Sequence, residues 1–281
     1  LLCFCVCIYC SRFVESTDHC FANHDRIAEL NLYDGKADRY FSGSPVPLAE
    51  ELRTWALGET EAISSVTYPR ERPYYVELSP EKTLPYELET IEIDTCYNKI
   101  FTPEMVAGHW KMASQSLNSV ILSQSMAIKI FGNAESAIGK HMTLMRRLNT
   151  SPESTPKTGG IVYIIQAVMK DIPLNNSLDF MQNIDMLTVN DSEGLLQSPK
   201  RHNMTGANTY VLLSPQTTCT DLEKQFSKRD YTYTLYDEAY TVTASNMGSR
   251  LKKQGASYLE LVTGTVGTLI LLVGLINFFH F

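Results

Sequence analysis

The strongest constraint on this chain is the uncharged apolar segment at its C-terminal end. Residues 261–281, LVTGTVGTLILLVGLINFFHF, contain no Asp, Glu, Lys or Arg. A helix rises about 1.5 Å per residue, so this segment would span roughly 30 Å, the thickness of the hydrocarbon core of a bilayer. The sequence therefore predicts a transmembrane helix here.

A second, shorter apolar segment lies at the N-terminal end. Residues 1–10, LLCFCVCIYC, are uncharged, and no Met precedes them. A signal peptide is an alternative, but the following SRFVESTDH lacks the small-residue pattern of a cleavage site. We expect a fragment of a larger membrane protein, with one water-facing region between two truncated spans.

Composition limits the partners of the central region. About 230 residues separate the apolar ends, which suits one large domain or two small ones. A net charge of −7 and a pI near 5.4 argue against nucleic acid, because phosphate binding needs a basic face. We expect one compact unit with subdomains and no nucleic-acid partner.

The cysteines predict neither a metal site nor a disulfide framework. Four of the seven lie among apolar residues at the N-terminus, where a zinc ion would lack hydrogen-bonded polar surroundings. The other three, Cys20, Cys96 and Cys219, are an odd and scattered set. No metal is predicted.

The sequence also lacks the common catalytic motifs. In GNAESAIGKH, residues 132–141, six residues separate Gly132 from Gly139, whereas a phosphate-binding loop has four, and His141 replaces the magnesium-binding hydroxyl. No G-x-S-x-G elbow and no H-E-x-x-H occur. We expect no catalytic residue, no cofactor and no enzyme activity.

Helical patterns occur in two segments of the N-terminal half. Residues 11–31 are polar with helical spacing, and we expect a stalk there. Residues 47–58, PLAEELRTWALG, predict an amphipathic helix with Gly58 as its stop.

Strand patterns follow. Residues 62–68 and 74–78 predict two strands separated by the turn-rich PRERP, and the alternation in 88–94 predicts a third. The clearest unit is 119–132, a buried strand followed by a helix that Gly132 ends in the left-handed conformation. The fold class is α+β with short strands and segregated helices.

Tyrosine is concentrated in YTYTLYDEAY, residues 231–240. A carbohydrate- or peptide-binding platform is possible there, but tyrosine at a period of two residues is more typical of a half-buried strand.

Five segments, taken in order, resemble the permeases of MacB/FtsX-type ABC transporters. They are NHDRIAEL (23–30), CYNKIFTPEMVAGHW (96–110), NSVILSQSMAIKIFGNAESAIGKHMTL (118–144), YIIQAVMKDIPLNNSLDF (163–180) and GLINFF (274–279). The third resembles "vvlSeslAkklFGdenpiGktl" and the fourth "ytVvGVvkDvPenSsl-F". Gln166 and Ala167 depart from the "V-G" pair of that pattern.

The resemblance implies a fold and a division of the chain. Residues 1–22 would be the end of the first span and a stalk, 23–256 the extracytoplasmic MacB-like domain, and 257–281 the start of the second span. The domain would combine a porter-like α/β part (23–86 and 207–250) with a mainly β, sabre-like insert (87–206). Two further spans would follow.

The resemblance also implies a function. The chain would be a permease subunit in the bacterial inner membrane, working as a homodimer or a permease heterodimer with a separate ATP-binding subunit. Its periplasmic domain would couple ATP-driven motion to export or other periplasmic work. A ligand-binding ectodomain of a two-span sensor receptor is the alternative, and a membrane-anchored enzyme is a third.

The final apolar segment carries the one predicted packing site. Gly267 and Gly274 are seven residues apart and fall on nearly the same helical face, close to Asn277. In lipid, small residues allow helices to approach closely, and a lone amide can hydrogen-bond across them. We predict that this face packs against a neighbouring span, whereas the alternative is a helix loosened by glycine and facing lipid.

Replacing Gly274 or Asn277 by Leu should weaken assembly or coupling of the full-length protein, because the close helix contact or its hydrogen bond is lost. Oligomeric state in detergent and transport activity are the measurements. If both variants keep the parent's oligomeric state and transport, the face has no packing role.

Overall fold

The computed structural model of the protein describes residues 16–41, 43–144, 160–178, 184–192, 194–198, 205–249 and 257–280, together with Cys5, Tyr9, Arg12 and Phe13. The predicted first span, residues 1–10, lies outside these ranges except for Cys5 and Tyr9.

Short helices and strands alternate along the described chain, which confirms the predicted mixture of the two. In order, the elements are β1 (Ile27–Asp34), β2 (Arg39–Tyr40), β3 (Ser44–Pro45), α1 (Leu48–Thr54), β4 (Thr60–Thr67), β5 (Arg70–Ser79), β6 (Lys82–Ile93), α2 (Tyr97–Phe101), β7 (Met105–Gly108), α3 (Trp110–Gln115), β8 (Ser119–Ser123), α4 (Gln124–Phe131), β9 (His141–Leu144), β10 (Ile161–Met169), β11 (Met186–Val189), β12 (Thr205–Leu213), α5 (Cys219–Lys228), β13 (Thr232–Leu235), β14 (Glu238–Asn246) and α6 (Ser257–His280).

Five strands form an antiparallel sheet in the order β4-β12-β1-β14-β13. Helices α1 and α5 pack against it, α1 on β4 and α5 on β14. The core between them includes Leu48 and Leu52 of α1 and Leu222 and Phe226 of α5. We call this part the open sheet.

Six further strands form a closed ring in the order β6-β5-β9-β10-β8-β11, while the short strands β2, β3 and β7 pair with β1, β12 and β10. Closure occurs because β11 pairs with β8 on one side and in parallel with β6 on the other, with Met186 opposite Thr90. A closed ring leaves no unpaired strand edge. We call this part the barrel, and its core includes Tyr74, Leu122, Tyr163 and Ile165.

Strand β6 joins the barrel to the open sheet. At its C-terminal end Ile93 pairs with Val66 of β4, while the rest of the strand pairs with β5 and β11. Leu88 lies in the barrel core, whereas Ile91 and Ile93 lie in a second core. The predicted boundary between residues 86 and 87 therefore falls inside a continuous strand.

The predicted unit at 119–132 is confirmed. Strand β8 is buried throughout, helix α4 follows it directly, and Ser123 caps that helix by accepting a hydrogen bond from the Met126 N–H at 3.4 Å. Gly132 ends the helix with φ +85°. This local sequence folds as its own pattern indicates.

Three local predictions were wrong. Residues 16–23 form turns and Ile27–Asp34 is a strand, so the stalk helix is not formed there. Most of PRERP belongs to β5, because the barrel pairs Arg72 with Leu88. Helix α1 ends at Thr54, and Ala56, rather than Gly58, has a positive φ, +47°.

The tyrosine-rich segment forms β13, a tight turn and the start of β14. Tyr233 and Tyr240 are buried against the open sheet, whereas Tyr236 in the turn is exposed. The half-buried strand, and not a continuous aromatic platform, is the observed arrangement.

The C-terminal apolar segment forms helix α6. Among the residues whose placement is described, no helix is both long enough and apolar enough to cross a membrane.

Ile130 and Ile128 on helix α4 provide a matched pair for testing the barrel core. Ile130 is 8% exposed and Ile128 is 50% exposed. Ile130→Ala should lower the free energy of unfolding by about 2–4 kcal/mol through the cavity it leaves, and Ile128→Ala by less than about 0.5 kcal/mol. Denaturant unfolding measures both, and equal losses would contradict the assignment of Ile130 to the core.

Candidate functional site

The two ends of the described domain meet at a loop that follows strand β10. This loop, residues 171–178, reads DIPLNNSL. Asn176 shapes it from within, because its side-chain amide donates to the Pro173 carbonyl at 2.6 Å and its Oδ1 accepts from the Leu178 N–H at 2.9 Å. Asn and Ser side chains favour such local bonds to the backbone. We call residues 171–178 the junction loop.

Asn175 attaches the junction loop to the N-terminal segment. Its Nδ2 donates to the Phe13 carbonyl at 2.8 Å and to the Ser16 hydroxyl at 2.9 Å. Its Oδ1 accepts from the Thr17 hydroxyl at 2.9 Å. One amide side chain thus holds three residues that precede the first strand.

Asp18 makes a second set of hydrogen bonds between the N-terminal segment and the junction loop. It is only 5% exposed and has φ +70°, a left-handed conformation that Asp tolerates better than most residues. Its Oδ1 accepts from the Ser177 N–H at 2.6 Å, and its own N–H donates to the Asn175 carbonyl at 3.2 Å. Further along, the Phe21 ring packs edge-on against Phe101, so the N-terminal segment reaches the core.

The end of strand β14 reaches the same place. Gly248 has φ +77°, and a Cβ built on it would lie 2.8 Å from Asp18 Oδ2. The preceding Met247 N–H donates to the Ile27 carbonyl at 2.9 Å. A side chain at position 248 would therefore be strained and would crowd Asp18. We call the N-terminal segment, the junction loop and residues 247–248 together the junction.

The junction loop is also connected to the barrel. Its first residue, Asp171, accepts at Oδ1 from the Ser125 N–H in the first turn of α4, at 3.1 Å. The residue before it, Lys170, donates its backbone N–H to the Glu104 carbonyl at 2.8 Å and pairs with the Glu104 side chain at 3.1 Å. The loop thus links the N-terminal segment to the barrel, through Asn175 on one side and Asp171 on the other.

The sequence marked the junction loop only as part of the segment 163–180 that resembles the permeases. Its contact with the N-terminal segment was not predicted, because Asn175 and Asp18 are far apart in the sequence and carry no spacing motif. The cluster of Pro, Asn and Ser directly after a strand predicts a shaped loop but not its partner.

The packing residues predicted in the final helix differ in exposure. In α6, Gly267 is buried, Gly274 and Asn277 are exposed, and a Cβ on Gly274 would meet nothing within 4 Å. Their packing role stays a prediction.

The segment 132–141 is part of the barrel. Ala134 and Ala137 are buried in the barrel core, and the Gly139 N–H donates to the Ile165 carbonyl at 2.7 Å. The Gly139 N–H is therefore already hydrogen-bonded within the barrel. Across the described residues, no group of three or more His, Cys, Asp or Glu side chains could hold a metal ion.

Comparison with known proteins relates this fold to transporter domains. The sequence matches no family model and no curated protein. A solved domain described as that of a permease from Porphyromonas gingivalis is similar over 81% of this chain and 93% of its own, with 20% identity and a TM-score of 0.59. The periplasmic region of MacB from Actinobacillus actinomycetemcomitans is similar over 86% of this chain and 96% of its own, with 13% identity and a TM-score of 0.52.

Asn175→Ala should loosen the N-terminal segment, because the Phe13 carbonyl, the Ser16 hydroxyl and the Thr17 hydroxyl each lose their hydrogen-bond partner. We expect the free energy of unfolding to fall by about 1–3 kcal/mol, with faster amide exchange at Thr17 and Asp18. Leu174→Ala is the control, since Leu174 is the neighbouring residue and is 64% exposed. Unchanged exchange in Asn175→Ala would show that the segment is held elsewhere.

Proposed function

The chain has the fold of the MacB-type periplasmic domain, and from this premise we propose that it is the extracytoplasmic domain of an ABC transporter permease subunit. The observation that carries the proposal is the similarity to two transporter domains, each covered over more than nine-tenths of its length. In this role the domain transmits motion driven by a separate ATP-binding subunit and performs work outside the cytoplasm.

The proposed location is the bacterial inner membrane, with the domain on the periplasmic side. It is supported by the apolar sequence 261–281 and by helix α6, whose exposed side chains include Leu269, Leu272 and Ile276. Several large apolar side chains exposed together on one helix mark a surface that contacts a membrane or another protein. The proposed assembly is a homodimer or a permease heterodimer.

The junction is the place where motion of the membrane helices could be transmitted to the barrel. The N-terminal segment and the end of β14 are the two places where force from membrane helices would enter the domain. Both contact Asp18 or its partners, and the junction loop continues into β10 of the barrel. If the N-terminal segment and the end of β14 moved relative to each other, the hydrogen bonds of the junction loop would transmit that movement to the barrel.

The strand pairing favours a particular assignment of residues to the two parts of the domain that the resemblance implies. We propose that the open sheet with α1 and α5 is the porter-like part. The barrel, which begins at β5 and ends at β11, would be the sabre-like insert. We therefore propose that the insert begins at Arg70 rather than at residue 87, because β5 and β6 pair along most of their length.

The proposal is tested on the full-length protein purified in mild detergent from its native membranes. An ATP-hydrolysing subunit should co-purify. Spin labels at Leu117 in the barrel and Tyr236 in the open sheet, which are 68% and 65% exposed, should change their separation when ATP replaces ADP.

The junction variant makes the test specific. Asn175→Ala should retain ATP hydrolysis and lose most of the nucleotide-dependent change in label separation, whereas Leu174→Ala should retain both. Absence of any ATP-hydrolysing partner, with a separation that responds instead to a soluble ligand, would favour the sensor receptor.

A further inference from the structure

A cavity of about 460 Å³ opens beside helix α5 at the outer end of the open sheet. Its walls come from α5, from the loop that follows this helix, and from strands β13 and β14. None of its described lining residues belongs to the junction or to the barrel. Small-molecule sites in proteins have volumes of roughly 300–1,000 Å³, so this cavity is large enough for a ligand of its own.

The cavity exists because β13 is shorter than its partner β14. Strand β13 begins at Thr232, opposite Thr241, whereas β14 continues to Asn246. Since β13 is the last strand of the open sheet, the rest of this edge of β14 has no strand beside it among the described residues. Helix α5 lies there instead, and Glu223 Oε1 accepts from the Ala244 N–H at 2.9 Å. The cavity occupies space that a longer β13 would have filled.

The floor of the cavity is apolar and is fixed by the core. Phe226 of α5 is 3% exposed and Val242 of β14 is 2% exposed, and both belong to the core of the open sheet. The Tyr231 ring packs against Phe226 and Trp55, with ring centroids 6.1 and 4.5 Å apart respectively. An apolar floor held in this way keeps its shape without a ligand and can receive the C–H face of a ring.

The opening of the cavity is polar. Thr232 and Thr241 are exposed and directly opposite each other, so their Cβ atoms lie about 5 Å apart. Their hydroxyls, like the carboxylate of Asp230, make no hydrogen bond or ion pair within the described part of the chain. Glu223 adds its Oε2, because the Ala244 N–H uses only Oε1. Two hydroxyls and two carboxylates therefore meet at one opening, beside an apolar floor.

The charge of the lining selects among ligand classes. Glu223 and Asp230 are acidic, and none of the described lining residues is Lys, Arg or His. A phosphate or carboxylate group would therefore be repelled without compensation. A metal ion is not the expected ligand either, since the described residues hold no group of three or more side chains that could bind one. The lining fits a small ring with an apolar face and several hydroxyl groups, either neutral or positively charged.

We propose that this cavity binds a sugar ring, neutral or bearing an amine. The C–H face of the ring packs on Phe226 and Val242, and its hydroxyls exchange hydrogen bonds with the two threonines and the two carboxylates. The tyrosine-rich segment contributes to this site mainly through a threonine, because Thr232 alternates with the buried Tyr233 and faces the other side of the strand. The proposal does not depend on the transport role.

The test is a titration of the full chain, labelled at its methyl groups and purified in a detergent without a sugar head group. The probes are glucosamine, glucose, glucuronate and cyclohexylamine. Glucosamine should shift the methyl resonances of Thr232, Thr241 and Val242 with a dissociation constant on the order of 1 mM, and glucose should do so about threefold more weakly. Glucuronate, which is an anion, and cyclohexylamine, which lacks hydroxyls, should each bind at least about tenfold more weakly than glucosamine.

Three variants locate the site. Thr241→Val keeps the branched shape and removes the hydroxyl, so it should weaken both sugars by about fivefold. Asp230→Asn should abolish the preference for glucosamine over glucose, and Asn tolerates the φ of +47° at this position. Thr234→Val is the matched control, because Thr234 is exposed on β13 but does not line the cavity, and it should leave every affinity unchanged.

Several results would overturn the proposal. One is the absence of methyl shifts with glucose and glucosamine at about ten times the expected dissociation constant. Equal effects of Thr241→Val and Thr234→Val would show that the sugars bind elsewhere. Cyclohexylamine or glucuronate binding as tightly as glucosamine would show that the cavity does not select a sugar by its hydroxyls and charge. If Thr241→Val does not fold, Thr232→Val takes its place with the same expected loss.

Discussion

Strand β6 is the element on which the rest of the structure depends, because it pairs with three other strands and contributes to two cores. Its pairing with β5 and β11 closes the barrel, and its last residue pairs with β4 of the open sheet. Successive side chains of a strand point to opposite sides, so Leu88 faces the barrel core while Ile91 and Ile93 face the core shared with α2. A slip of one residue in β6 would exchange the two faces and disrupt both cores.

The two parts of the domain are held together at two places of different chemistry. At the junction, neutral Asn and Ser side chains and the buried Asp18 bind backbone groups, so the attachment has a fixed geometry. At Glu92, a buried carboxyl group accepts the Leu195 and Leu196 N–H groups and positions both leucines against Ala207 of the open sheet. In the proposed transport role, the junction would carry motion into the barrel.

Local patterns were sufficient for elements whose formation depends on neighbours in sequence. The strand, helix and Gly132 stop at 119–132 were predicted because burial, capping and the left-handed glycine are all encoded within that segment. Helix α5 is also specified by neighbours in sequence, because Thr218 and Asp221 form a capping box at its start. The PRERP segment was predicted incorrectly because its turn-forming residues are outweighed by pairing with β6, which lies further along the chain.

The sequence by itself determined the apolar character of the final segment, the mixed class of the domain, the main strand-helix unit and, through the order of several motifs, the resemblance to transporter permeases. Only the tertiary structure decided that the insert closes into a ring, that Asn175 and Asp18 meet, and that Glu92 reaches the Leu195 and Leu196 N–H groups. The reason is that periodicity and capping act over a few residues, whereas these contacts join positions about 100 or more apart, and their energies depend on burial that exists only after folding.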